Sequence, residues 1–227
     1  MTESALLLGI DTCGPYGSVA LGRLSAGIVK MLDQIELEGR SYSSTLVAAV
    51  GQLLARHGVE LKELGCIVAV CGPGSFTGVR VGLSAVKGLA EPARIPVVTV
   101  SRLEVLAGKS GVPSAALDAH RHEVFLRLDL LGGQARELLA GAEELAAIDP
   151  APARIALCDD AAQALLAAAW PSAELVRSAA PTAANALCLG AARIQAGEFA
   201  DLALLDGHYL RRSDAEIFGE PAEPRPA

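Results

Sequence analysis

Two aspartates and a pair of histidines are the side chains with the clearest potential for chemistry. Asp11 and Asp118 each end a predicted strand and precede a short polar turn. Carboxylates can hold a divalent cation or orient a water molecule, although acids also favour the turns that end hairpin strands. His120 and His122 share the spacing of one strand face, a pattern compatible with metal binding. Because they fall where the hairpin must turn, we expect them to point apart into solvent.

A glycine-rich segment at 72–78 reads Gly-Pro-Gly-Ser-Phe-Thr-Gly and fits none of three catalytic motifs. It lacks the lysine of a phosphate-binding loop. Around Ser75, the residues Pro73 and Thr77 stand where a hydrolase nucleophile elbow has glycines. As a dinucleotide loop it has the wrong glycine spacing and follows the fourth strand instead of the first. The segment therefore predicts a sharp turn between a buried strand and a helix.

Composition and charge exclude several functional classes. The 227 residues carry a net charge of −7, and 52% of them are hydrophobic. This balance argues against a surface that binds nucleic acid unaided, which needs clustered basic side chains. No apolar run is long enough to span a membrane, and the first residues lack the basic region of a signal peptide. Five cysteines without a Cys-x-x-Cys pair suit a reducing cytosol, so we expect a cytoplasmic protein.

Apolar periodicity and turn residues predict the order βββαβαβα in the first half of the chain. Strands are expected at 6–10, 18–22, 28–35, 66–71 and 96–100. Helices are expected at 41–57, at 79–90 and from residue 102 onward. This alternation of strands and helices is typical of an α/β protein.

The second half repeats this order. Residues 117–126 resemble residues 10–20, because in both a strand ends in aspartate, a polar turn follows and an alternating strand returns. The similarity indicates a duplication. Further strands are expected at 128–139 and 154–158, and helices at 161–169 and 182–196. The predicted division is an N-terminal lobe at 1–103, a C-terminal lobe at 104–218 and a flexible tail at 219–227.

The repeated unit resembles the actin-like ATPase superfamily, whose lobes are mixed sheets flanked by helices. Within it, the chain is similar to the TsaB (YeaZ) family. The specific part of this resemblance is Gly-Pro-Gly-Ser-Phe-Thr-Gly-Val-Arg-Val-Gly at 72–82. Weaker parts are Lys-Gly-Leu-Ala at 87–90, Asp-Ala at 118–119, Glu-Val at 123–124 and Tyr-Leu-Arg at 209–211.

The resemblance implies a partner protein and not an enzyme. TsaB proteins are the non-catalytic subunit of the bacterial machinery that makes N6-threonylcarbamoyladenosine in tRNA. They pair with the metal-bearing transferase TsaD and act with the ATPase TsaE, so tRNA is met only through the complex. In TsaD-type relatives a His-x-x-x-His helix binds the metal, and the matching positions here are Arg102 and Leu106. Neither side chain can ligate a divalent ion, so we expect no metal and no cofactor.

The same resemblance places Asp11 and Asp118 where actin-like kinases hold magnesium or orient water. A working site of this kind also has a Gly-Gly turn in the second lobe, and the Gly-Gly at 132–133 comes too early for that role. We therefore expect a degenerate nucleotide site. The alternatives are a stand-alone kinase or ATPase and a metal-dependent, glycoprotease-like hydrolase. The sequence leaves open whether a nucleotide lies at the partner interface, and what Tyr42, Arg211 and Arg212 do.

Two helices are predicted to contact a partner. The first has an apolar face suited to the sheet, formed by Leu46, Val47, Val50, Leu53 and Leu54. Small residues lie nearly opposite, at a spacing that lets another helix approach closely. The second helix is apolar around most of its circumference, more than one sheet can cover. The predicted interface consists of Ser44, Ala48, Gly51, Ala55, Gly78, Val79, Gly82, Leu83, Ala85, Val86 and Leu89.

Through this surface we expect a heterodimer with a TsaD-type protein, and a homodimer when the chain is alone. The competing interpretation is that an alanine-rich chain forms small-residue stripes by chance, or that the two helices pack only on each other.

Overall fold

A computed structural model of the chain describes residues 4–38, 41–129 and 135–211. Within these ranges the strands form two five-stranded sheets. Counted along each half of the chain, the strands lie in the order third, second, first, fourth, fifth in one sheet, and the other sheet repeats this order, so both sheets follow one plan. Each is made by a βββαβαβα unit, which confirms the predicted duplication and the α/β class.

The first sheet combines an antiparallel meander with two parallel strands. Because β1 (Ala5–Asp11) and β4 (Leu64–Val70) are central and aliphatic, they bury side chains on both faces. Two helices, α1 (Tyr42–Arg56) and α2 (Phe76–Ala93), pack side by side on this sheet. The elements are β1 (Ala5–Asp11), β2 (Tyr16–Ser25), β3 (Ile28–Glu38), α1 (Tyr42–Arg56), a 3-10 turn (Leu61–Glu63), β4 (Leu64–Val70), α2 (Phe76–Ala93) and β5 (Val97–Val100).

The second sheet corrects one predicted strand. The third strand, expected at 128–139 with an interruption at the Gly-Gly of 132–133, begins later than predicted, because Leu128 and Asp129 belong to the preceding strand and pair with Arg136 and Ala135. The Gly-Gly at 132–133 lies outside the described residues. The elements are β6 (Ala115–Asp118), β7 (Val124–Asp129), β8 (Ala135–Ala140), α4 (Ala142–Ala146), β9 (Arg154–Leu157), α5 (Asp160–Ala169) and β10 (Glu174–Arg177).

The last helix of each unit covers the sheet of the other unit. Helix α3 (Arg102–Ser110) packs on β6, β7 and β9, whereas α6 (Ala183–Ala196) packs on all five strands of the first sheet. A methyl group on Gly9 would lie 2.7 Å from the Ala183 carbonyl oxygen, so this glycine permits the close approach of α6. A cut at 103/104 therefore separates α6 from the sheet that it covers and passes through the first turn of α3. The boundaries at 1–103 and 104–218 stay a prediction, and 219–227 lies outside the described residues.

None of the helices in the described ranges is long and apolar enough to cross a membrane.

Candidate functional site

The first predicted site residue, Asp11, is buried at the end of β1 with 1% of its surface exposed. One carboxylate oxygen accepts a hydrogen bond from the Cys13 N–H at 2.9 Å. The other has no hydrogen bond and lies 3.7 Å from Nε of Arg102. Arg102 begins α3, where its own N–H donates to the Gly72 carbonyl at 2.7 Å. The charge of Asp11 is therefore compensated inside the protein by a residue 91 positions away.

Leu106, the second of the two positions considered as metal ligands, is fully buried one turn further along α3. It packs in the cluster that joins α3 to the second sheet, together with Leu103 and Leu117. Positions 102 and 106 thus provide an ion pair and an aliphatic contact. Across the described ranges, no group of three or more His, Cys, Asp or Glu side chains is arranged to hold a metal ion.

The corresponding turn of the second unit is open to solvent. Asp118 ends β6 with 24% of its side chain exposed and lies 2.9 Å from Nδ1 of His120. His120, Arg121 and His122 are exposed, and all three have φ between 55° and 60°. Left-handed backbone costs about 1 kcal/mol or more per non-glycine residue, so surrounding contacts must stabilise this turn. The histidines are solvent-exposed as predicted, although His120 also pairs with Asp118.

Arg211 supplies much of that stabilisation. Its guanidinium donates to the Ala119 carbonyl at 2.7 Å and pairs closely with the Glu123 carboxylate. Tyr209, two residues earlier, packs against Phe76 at the start of α2, with ring centroids 4.9 Å apart and the rings tilted by 45°. The segment at 208–211 therefore connects the first unit to the turn of the second. Sequence reasoning left Arg211 undecided, and Arg212 lies outside the described residues.

His208 strengthens the same connection. Its N–H donates to the Cys71 carbonyl at 2.7 Å, and its Nε2 lies 2.9 Å from the Glu137 carboxylate on β8. Although burial opposes ionisation, hydrogen bonds from His208, Ser101 and Arg127 hold the pKa of Glu137 below its ordinary value. No local sequence pattern links these residues, which is why the prediction missed them.

The two turns face a cleft of about 1300 Å³. Two cysteines, Cys13 and Cys158, line it, and burial raises the pKa of both thiols. Neither is a thiolate near neutral pH, so neither is an activated nucleophile. Tyr42, whose role the sequence left open, is buried beside the cleft and donates its hydroxyl to the Gly14 carbonyl at 2.8 Å. Its contacts shape the first turn.

The predicted partner surface on α2 requires a correction. A methyl group on Gly78 would lie 2.1 Å from the Thr12 carbonyl oxygen, and one on Gly82 would lie 2.2 Å from the Thr12 hydroxyl. The absence of a side chain at both glycines thus lets the first turn of this chain pack directly against α2, and this face of the helix is not open to a second protein. The broad apolar circumference is covered within the chain, and only Ala85 and Leu89 of the predicted set stay partly exposed. The buried members of that set are Gly78, Val79, Gly82, Leu83 and Val86.

The small residues of α1 lie on the side of the helix that faces away from the sheet, where the sequence predicted them. Ser44, Ala48, Gly51 and Ala55 are all exposed, and nothing lies within 4 Å of a methyl group placed on Gly51. Val47 was expected to face the sheet, but it is 59% exposed because it lies beside this stripe. On the adjacent α2, Thr77, Arg80, Ser84, Gly88 and Glu91 form the exposed stripe.

The known proteins that are similar to this chain have names that concern the same modification of tRNA. Residues 34–143 match the family described as TsaD: tRNA N6-adenosine threonylcarbamoyltransferase. The chain is 33% identical over 129 residues to the tRNA threonylcarbamoyladenosine biosynthesis protein TsaB of Haemophilus influenzae, covering 54% of this chain and 53% of that protein. It is 35% identical over 125 residues to TsaB of Escherichia coli, covering 52% of each. The chain therefore spans about half the length of the curated relatives it matches.

Solved structures match over a larger part of the chain. YeaZ from Pseudomonas aeruginosa is 28% identical with a TM-score of 0.73, covering 91% of this chain and all of that one. A second structure, described as an uncharacterized protein with similarity to peptidase YEAZ from Pseudomonas aeruginosa, is 29% identical with a TM-score of 0.74 at the same coverage. The two duplicated units thus form an α/β actin-like ATPase fold.

Proposed function

This chain belongs to the TsaB (YeaZ) family, and we propose that it is a non-catalytic subunit in the biosynthesis of threonylcarbamoyladenosine in tRNA. In this proposal it binds a TsaD-type transferase and holds it in an active geometry. A TsaE-type ATPase joins the same complex, and tRNA contacts this chain only through it. The assembly acts in the cytoplasm.

The observation that carries the partner proposal is the exposed small-residue stripe on α1. Ala48 and Gly51 project no bulky side chain, so a helix of the partner can approach near the short end of the usual range of about 8–10 Å. Because α1 and α2 lie side by side, the stripe on α2 through Ser84 and Gly88 extends the same surface. Two adjacent helices that expose small residues favour a helix-on-helix interface with the partner.

Charges of both signs border this surface. Arg80 and Glu91 are exposed on α2, and Arg56 at the end of α1 pairs with Asp33. On the other side of α1, the exposed Glu36 and Glu38 lie beside the small-residue stripe. Complementary charges on the partner would orient it and speed its association.

The apolar content of the surface is modest. Among the residues of α1 and α2, Val47 is the large apolar side chain that is mostly exposed. A typical interface hides about 800 Å² per partner and is no more apolar than ordinary protein surface, so this composition suits a non-obligate complex. When the chain is alone, we expect a homodimer through this face, which light scattering at high concentration detects.

The buried Asp11–Arg102 pair supports the non-catalytic part of the proposal. For Asp11 to hold magnesium, the guanidinium would have to leave and the carboxylate would have to become accessible. Breaking a buried ion pair costs about 3–5 kcal/mol, which disfavours that rearrangement. Asp11 and Asp118 therefore fit a degenerate nucleotide site.

Co-purification of the chain with a TsaD-type protein tests the proposed surface. The variant Ala48→Glu should weaken pairing by about a hundredfold, because the interface would bury a carboxylate without a counter-charge. Ala167→Glu is the matched control, since it makes the same change at an exposed helical position on α5. Equal pairing by both variants would contradict the proposed surface. Both variants should unfold like the original chain, because each position is exposed.

A further inference from the structure

One exposed cation on α2 is held in place by two aromatic rings. The guanidinium of Arg80 lies over the face of Phe76, with its Cζ atom 3.6 Å from the ring centroid. The ring of Tyr209 is the second, at 5.8 Å. A guanidinium is attracted to the negative face of an aromatic ring. Arg80 is therefore confined to fewer rotamers than an exposed arginine otherwise samples.

The two rings are themselves fixed by the rest of the chain. Phe76 is the first residue of α2, and Tyr209 packs against it with ring centroids 4.9 Å apart. Tyr209 is held from both sides along the chain, because the N–H of His208 donates to the first unit and the guanidinium of Arg211 donates to the second. The position of Arg80 thus depends on the segment at 208–211, which joins the two units.

Arg80 differs from the exposed arginines whose charge is compensated within the chain. Arg56, Arg154 and Arg177 each pair with an acid at 2.6–3.5 Å. Among the residues that the structure describes, Arg80 has no such acid, and its contacts are those with the two rings. Stacking engages only the face of a guanidinium, so the N–H groups in its plane stay available as donors.

Arg80 also lies in line with the small residues of α2. Ser84 and Gly88 follow it at intervals of four residues, and all three are exposed. Residues four apart occupy the same face of a helix. A partner helix that packs along Ser84 and Gly88 therefore brings its own side chains within reach of Arg80.

We propose that Arg80 is a specificity-determining residue of the surface formed by α1 and α2, and that it binds a carboxylate on a helix of the TsaD-type partner. This inference rests on the proposed function. A carboxylate can accept two parallel N–H groups from one guanidinium. Because the guanidinium is already positioned, less side-chain entropy is lost when the partner binds.

A nucleic acid fits this surface less well than an acidic side chain does. The exposed acids Glu36, Glu38 and Glu91 border the same surface, and the chain has a net charge of −7. A phosphate backbone needs several clustered cations, whereas one carboxylate needs only Arg80.

The affinity of the full chain for a TsaD-type protein, measured by surface plasmon resonance at several salt concentrations, tests the proposal. Arg80→Gln should weaken pairing by about tenfold and reduce its dependence on salt, because a charge-assisted hydrogen bond is lost. Arg80→Lys should keep the salt dependence but weaken pairing by about threefold, since lysine lacks the planar fork. Arg136→Gln, at an exposed position on β8, is the control and should pair as the original chain does.

A double-variant cycle tests whether Phe76 positions Arg80. Phe76→Leu should weaken pairing by about threefold, because the guanidinium is no longer held over a ring. In a chain that already carries Arg80→Gln, the same change should have almost no further effect. An equal loss in both backgrounds would mean that Phe76 supports α2 in general, and would overturn its role as a positioning residue.

The outcomes separate this inference from the proposed function. If the original chain does not pair with the TsaD-type protein, both are wrong. If the original chain pairs and Arg80→Gln pairs equally well, with the same salt dependence, this inference alone is wrong. Loss of self-association by Arg80→Gln with normal pairing to the partner would assign Arg80 to a contact between two copies of the chain, and would also overturn the inference.

Discussion

Helices α1 and α2 carry small residues at the same helical spacing, but the structure uses the two stripes differently. On α1 the stripe through Ala48 and Gly51 is exposed, and space remains above Gly51. On α2 the stripe through Gly78 and Gly82 lies against Thr12, whose hydroxyl donates to the Gly78 carbonyl at 2.7 Å. A stripe of small residues therefore indicates that another element packs closely against the helix, but it does not identify that element. One stripe is available to another protein, and the other holds this chain's own turn.

The sharpest test of this difference is an added methyl group on the buried stripe. Gly78→Ala should lower the free energy of unfolding by about 2–3 kcal/mol, because its methyl group would collide with a backbone oxygen of Thr12. Gly88→Ala, on the exposed side of the same helix, should raise it by about 0.5–1 kcal/mol, since alanine favours helix more than glycine. Urea denaturation measures both. Equal changes in the free energy of unfolding for the two variants would mean that α2 does not pack closely against the first turn.

The contact between Thr12 and Gly78 also shows which features of the fold the sequence could not predict. Apolar periodicity predicted most of the strands and helices, because each of these elements is decided by residues close in sequence. It missed the short elements α4 and β10, which have only five and four residues in which to show a period. The burial of α2 was misjudged because Thr12 lies 66 residues before Gly78 and no local pattern connects them. For the same reason the sequence did not reveal that Arg102 pairs with Asp11, or that α6 covers the first sheet.

The site residues also depend on contacts between distant parts of the chain. The sequence predicted, through a resemblance, that Arg102 and Leu106 occupy the positions of metal ligands in relatives. It did not predict that Arg102 serves as the counter-ion of Asp11, because this contact depends on how α3 meets the end of β1. The role of Arg211 likewise required the left-handed turn at 120–122, which few non-glycine sequences adopt.

A second test asks whether the partner surface extends from α1 onto α2. Ser84 is exposed on α2, away from the buried glycines. Ser84→Glu should weaken pairing with a TsaD-type protein by about tenfold, less than Ala48→Glu, because it lies toward the edge of the surface. Surface plasmon resonance compares the two affinities. If Ser84→Glu pairs normally while Ala48→Glu does not, the surface is confined to α1.

The smallest expected effect is that of a methyl group added to α1, which should change the free energy of unfolding and the affinity for the partner in opposite directions. Gly51→Ala should raise the free energy of unfolding by about 0.5–1 kcal/mol, because the added methyl group meets open space and favours the helix. It should also weaken pairing, because the partner helix would lose its closest approach. Gly108→Ala on α3 is the control and should stabilise the chain without affecting pairing, since Gly108 has ordinary contacts. Gain of stability with unchanged pairing would remove Gly51 from the interface.

Reconstituted synthesis of threonylcarbamoyladenosine tests whether this chain is a non-catalytic subunit that its partner requires. Purified TsaD-type and TsaE-type proteins are assayed on unmodified tRNA with this chain, without it, and with Ala48→Glu in its place. We expect modification only when the original chain is present, and none from this chain alone. Equal modification without the chain, or transfer by the chain in isolation, would show that the proposed role is wrong.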